Sequence, residues 1–111
     1  MDISRSDRLK LRVDALRARL DEVSAELSKL RAEAGGVRNS LQETVVSALV
    51  DGRPQPADIA GIRADLARRE ADISAAESMV ANLRDQLLQS RRDHLRQRKL
   101  ENPGIYISLL P

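Results

Sequence analysis

Residues 9–41, LKLRVDALRARLDEVSAELSKLRAEAGGVRNSL, place apolar side chains at alternating steps of four and three: Leu9, Val13, Leu16, Leu20, Val23, Leu27, Leu30, Ala34, Val37 and Leu41. With Val13, Leu20, Leu27, Ala34 and Leu41 as heptad a positions and the rest as d, the repeat averages about 3.5 residues, the pattern that winds helices into a left-handed seam. A lone amphipathic helix on a globular protein seldom holds that phase for so long. Just upstream, Ser4 followed three residues on by Asp7 reads as a capping-box start, so the helix is expected to begin near residue 5.

Downstream, Asp51-Gly52-Arg53-Pro54-Gln55-Pro56 joins a turn dipeptide to two prolines that cannot donate backbone hydrogen bonds, and helix propagation must stop there. Beyond it, Ile59, Ile62, Leu66, Ile73, Ala76, Val80, Leu83 and Leu87 restore the same alternation. Arg69 interrupts it at one d position, and Ser90, His94 and Gln97 occupy the seam positions that follow. Asn102-Pro103-Gly104 ends this second helix, because the residue before a proline is pushed out of the helical region. The expected fold is all-α: an antiparallel two-helix coiled-coil hairpin with arms over 5–50 and 57–100, a tip over 51–56 and an extended tail over 102–111. At about 1.5 Å per residue each arm would be roughly 65 Å long. Gly35-Gly36 is the point where the first arm would break, since each glycine costs about 1 kcal/mol relative to alanine inside a helix. A break there would make residues 37–50 a separate helix in a three-helix arrangement. Both glycines, however, fall at outward b and c positions and the heptad phase passes through them, which favours a continuous or kinked arm.

Composition agrees with a seam rather than a wide core. The chain has 111 residues, enough for one domain, and is 41% apolar but only 1% aromatic and 32% charged, so burial must come from Leu, Val, Ile and Ala. No uncharged apolar run of about 18 residues and no apolar leader segment is present, which predicts neither a membrane span nor a signal peptide and a cytoplasmic protein. Absence of cysteine removes disulfides, thiol catalysis and zinc-finger ligation together.

Little in the sequence points to catalysis. His94, the only imidazole, is set among Arg91, Arg92, Arg96, Arg98 and Lys99, which repel a metal cation, and it falls at an a position where half-burial in the seam is the plainer role. Carboxylates are scattered among arginines along helix surfaces, with no cleft to desolvate a pair. Gly35-Gly36 lacks the Lys-Ser/Thr of a phosphate loop and follows no strand. The expectation is a protein that is not an enzyme, with no metal, no cofactor and no small-molecule substrate.

Charge and surface apolarity are more informative. Residues 1–12 and 91–101, which a hairpin brings together at its open end, hold nine basic residues (Arg5, Arg8, Lys10, Arg12, Arg91, Arg92, Arg96, Arg98 and Lys99) against four acidic ones, leaving the rest of the chain at −3 of the total +2. Antiparallel pairing of e positions sets Arg38 near Glu70 and Arg31 near Glu77, but also Arg17 near Arg91 and Lys10 near Arg98. An anionic partner could neutralise the open end, though a solvated surface in an arginine-rich chain accounts for it equally well. No aromatic side chains interleave with the arginines for base stacking.

A second stripe of small or apolar residues lies off the seam: Leu11, Ala18, Ala25, Ala32 and Val46 at f positions of the first arm, with Asn39 between, and Ala60, Ala67, Ser74, Ala81, Leu88 and Leu95 at b positions of the second. A two-helix hairpin buries little surface, so this stripe predicts self-association into a homo-oligomer or docking into a larger assembly. Alanine as a good helix former explains Ala18 or Ala67 but not Leu88 and Leu95. The tail carries Ile105, Tyr106, Ile107, Leu109 and Leu110, an apolar run beyond a firm helix stop. It reads either as a docking peptide that adds a strand to a partner's sheet edge, or as a flap over Leu95 and Leu100.

In general design, hairpin coiled coils of this size resemble small adaptor, chaperone and assembly proteins of secretion systems, tailed phages and cytosolic complexes. The likeness is of architecture, and no motif carries it. The functional expectation is a coiled-coil adaptor or assembly component that binds protein partners or itself and docks through its tail. The alternative is a nucleic-acid-associated protein that contacts phosphates through the basic open end.

Overall fold

The described residues form two helices: α1 is Arg5–Val50 and α2 is Ile59–Glu101. The computed structural model describes residues 4–52 and 59–102. The fold is the all-α helical hairpin expected from the repeat, with no strand among the described residues.

The ends of α1 follow from local chemistry. The backbone N–H of Asp7 donates to Ser4 Oγ at 3.1 Å, occupying one of the orphan donors of the first turn. Asp7 itself stands in that turn, where a carboxylate complements the positive end of the helix dipole. At the other end Gly52 adopts φ 67°, a left-handed conformation that glycine enters without a Cβ clash, and its N–H donates to the Leu49 carbonyl at 3.3 Å. The prolines at 54 and 56, and the expected start of the second arm at 57, lie outside the described residues; the helix is first seen at Ile59. α2 runs to Glu101, one residue past the expected end, with Arg98 and Lys99 in its last turn beside the negative end of its dipole.

Gly35 and Gly36 lie inside α1 without interrupting it. Ala34 just before them is only 1% exposed, and Val37 just after is half-buried, so seam contacts hold the helix through the two weak positions. The three-helix alternative is not what the chain adopts.

Packing divides into two units, each containing part of both helices. The terminal unit joins Met1–Glu22 to Val80–Pro111, and the middle unit is Val23–Met79. In the middle unit the seam buries Val23, Leu27, Ala34, Ala48 and Ile59, with Leu30, Val37, Leu41, Ile62, Leu66, Ile73 and Ala76 half-buried. In the terminal unit it buries Val13, Val80, Leu83 and Leu87 together with two serines, Ser6 and Ser90.

Polar residues on the seam are paired. In the middle unit Arg69, the d-position interruption, is clamped between Asp65 on its own helix (Nε to Oδ2, 3.1 Å) and Glu33 on α1 (Nη1 to Oε2, 3.3 Å). The hydrogen bond from Arg69, and after it the one from Arg68, holds the Asp65 carboxyl below its ordinary value of 3.8. Flanking the same seam, Arg38 pairs with Glu70 at 2.9 Å and Arg31 with Glu77 at 3.8 Å, the two attractive e-position pairs expected from the antiparallel arrangement. These pairs are exposed, so they set alignment more than stability.

Candidate interaction surface of the terminal unit

Seam chemistry changes character in the terminal unit. Ser6 falls one heptad before Val13 and Ser90 one step of three beyond Leu87, so both point inward although neither is apolar. Each is satisfied across the hairpin. Arg12 Nε donates to Ser90 Oγ at 3.3 Å. Ser6 donates from its hydroxyl to Glu101 Oε2, and its backbone N–H reaches Glu101 Oε1 at 3.4 Å. Gln97 Nε2 adds a third donor to that carboxylate at 3.4 Å. The last residue of α2 thus helps cap the first turn of α1, where free N–H groups and the helix dipole both favour an anion.

The Ser6 hydroxyl is the main cause that lowers the Glu101 carboxyl below its ordinary value of 4.5, with Gln97, the Ser6 backbone and the charge of His94 adding to it. A carboxyl whose folded value is depressed contributes stability that is full above its unfolded value and is lost as pH falls through the folded one. An NMR titration should therefore find Glu101 below 4.5 and Ser6→Ala should move it back toward that value. An identical Glu101 titration in both proteins would remove this contact from the account.

The basic residues singled out from the sequence, Arg5, Arg8, Lys10, Arg12, Arg91, Arg92, Arg96, Arg98 and Lys99, are all exposed and all belong to this unit. Lys10 and Arg98, expected to repel, line one groove together with half-buried His94, but Asp7 and Glu101 line it too. Among the described residues, the ion pairs that link the two helices lie in the middle unit, and in the terminal unit the polar links across the apolar seam are the serine contacts.

The stripe residues are also on the surface. Leu11 is 58% exposed, Leu88 50% and Leu95 56%, whereas Leu87, one residue from Leu88, is 7% exposed. Ala18 is exposed in the same unit, and Ala25 and Ala32 are exposed in the middle unit. The tail residues Ile105, Tyr106, Ile107, Leu109 and Leu110 lie outside the described residues.

No family model matches this chain, and neither curated proteins nor solved structures give a match. No described helix is long and apolar enough to cross a membrane. Among the described residues no group of three His, Cys, Asp or Glu side chains is arranged to hold a metal ion.

Sequence reasoning missed the roles of Ser6, Glu101, Ser90 and Arg69. Ser6 could have been found by extending the heptad one step upstream of Val13. The Asp65 and Arg69 pair is visible as a carboxylate four residues ahead of a guanidinium on one helix. The Glu101 contact had no such local signal, because its partner is 95 residues away.

Proposed function

We propose that this chain is a non-enzymatic interaction protein, a helical hairpin that oligomerises or packs within a larger assembly and is fastened there by the segment 105–111. The observation that carries the reading is the pair Leu88 and Leu95. They stand two turns apart and half-exposed on a helix whose seam is already filled by Leu83, Leu87 and Ser90. Large apolar side chains arranged on one face outside a completed seam gain stability only when another surface covers them. The tail adds a second apolar segment of five such residues in the seven from 105 to 111.

The alternative, phosphate contact through the basic end, has less support from the geometry. The groove that holds Lys10, His94 and Arg98 is also lined by Asp7 and Glu101, and Arg12 is engaged with Ser90. Mixed charge of this kind suits a protein face better than a polyanion.

A photo-reactive amino acid placed at position 88 of the full chain in its native cells tests the reading. The expected result is a cross-linked protein adduct at that position, lost when residues 105–111 are deleted while circular dichroism shows unchanged helicity. No protein adduct from position 88 would overturn the reading, and an adduct indifferent to the deletion would take the tail out of the mechanism.

A further inference from the structure

Lines of opposite charge run beside the two outward stripes of the terminal unit, and their end members Asp7 and Arg98 also line the groove of Lys10, His94 and Glu101. On α1, Leu11 and Ala18 are exposed, and four residues ahead of each stand Asp7 and Asp14, with Asp21 continuing the line, all exposed. On α2, Leu88 and Leu95 are exposed, and four residues ahead of each stand Arg84 and Arg91, with Arg98 continuing the line. A step of four residues turns about 40° back around a helix, so the aspartates flank one stripe on the same rotational side as the arginines flank the other.

In an antiparallel helix pair, flanks on the same rotational side face each other, as Arg38 and Glu70 do across the hairpin seam. The heights also agree. Ser6 contacts Glu101 and Arg12 contacts Ser90, which places Leu11 near the level of Leu95 and Ala18 near that of Leu88. A neighbouring hairpin in the same orientation would therefore present its α2 face to this α1 face with no axial shift.

We propose that the outward face of α1 packs on the outward face of α2 of a second copy, head to tail, with Leu11 and Ala18 against Leu95 and Leu88 and with Asp7, Asp14 and Asp21 against Arg98, Arg91 and Arg84. This deepens the interaction reading above, on which it rests, by naming the partner. On the opposite flank Arg8, Ala15 and Glu22 face Lys99, Arg92 and Asp85, which is unfavourable at Arg8 and Glu22. Both flanks are exposed and equally screened by salt, so the balance rests on number: Asp7, Asp14 and Asp21 meet three arginines, against two like-charge meetings at Arg8 and Glu22 and a neutral one at Ala15. Because Leu11 and Ala18 lie on the side of α1 opposite its seam with α2, two copies cannot bury both faces reciprocally, and the contact propagates to a ring or a filament.

Light scattering and sedimentation on the purified full chain test this without any other partner. Average mass should rise with protein concentration and fall with added salt. Leu11→Glu and Leu95→Glu each leave one face intact, so each alone should associate at least about tenfold more weakly. The two mixed in equal amounts should form a one-to-one pair that grows no further. Asp14→Arg should weaken association, and adding Arg91→Asp to the same chain should restore it, since arginine and aspartate then meet in the exchanged order. All these positions are exposed, and circular dichroism on each variant checks that the hairpin is retained.

A chain that stays monomeric at every concentration, associates equally well with Leu11→Glu, or shows no recovery in the exchanged-charge protein overturns the proposal. A monomeric purified chain that still forms adducts from position 88 in cells would leave the broader interaction reading standing and place another protein on this face.

Discussion

Leu87→Ala lowers the free energy of unfolding by about 2–3 kcal/mol, while Leu88→Ala, one residue along the same helix, changes it by less than about 0.5 kcal/mol at protein concentrations where the chain is monomeric. The two leucines have the same chemistry and nearly the same backbone, and differ only in where the helix turns them. Leu87 is 7% exposed and packs in the seam of the terminal unit, whereas Leu88 is 50% exposed on the outward face. Removing three carbons from the seam forfeits their transfer from water and leaves a gap that two helices can only partly close. Urea unfolding of the two variants side by side is the measurement. Similar losses from both would mean that the hairpin seam is not the surface on which stability rests.

Gly35→Ala and Gly36→Ala together raise stability by about 2 kcal/mol. Both residues are helical within α1, and a Cβ built at either meets no atom within 4 Å. Alanine therefore gains the better helix propensity and narrows the unfolded ensemble with no steric penalty. The double variant should show a higher urea midpoint with an unchanged dependence on denaturant. Lower stability would put the pair in a conformation that a Cβ cannot share, and so would break the first arm where the sequence left that alternative open.

Legibility in the sequence varied with the kind of interaction. The seam from Leu9 to Leu41 was readable because a repeat of about 3.5 residues leaves one physical outcome, a helix with one apolar edge. The Arg31 and Arg38 pairings with Glu77 and Glu70 were readable for the same reason, since e positions face e positions once the arms run antiparallel. The caps at Ser4 and Gly52 follow from residue type at a boundary.

Glu101 was not readable as the partner of Ser6. The contact depends on how far α2 runs past the last apolar seam residue and on which way one flexible carboxylate turns. The same holds for Arg12, which the sequence placed in a basic patch and whose Nε the structure directs to Ser90. Arg69 was legible as an interruption but not as a clamped cation, since only the packed hairpin brings Glu33 of α1 to it.

What the sequence determined alone was the secondary structure, the place of the bend and the face each helix buries, because periodicity and turn chemistry act between residues close in the chain. What only the tertiary structure decided was the relative height of the two arms, and with it the serine contacts of the terminal unit and the matched levels of Leu11 and Leu95. Sliding one helix along the other by a heptad leaves every local preference unchanged. It is ruled out only by side chains meeting across the seam.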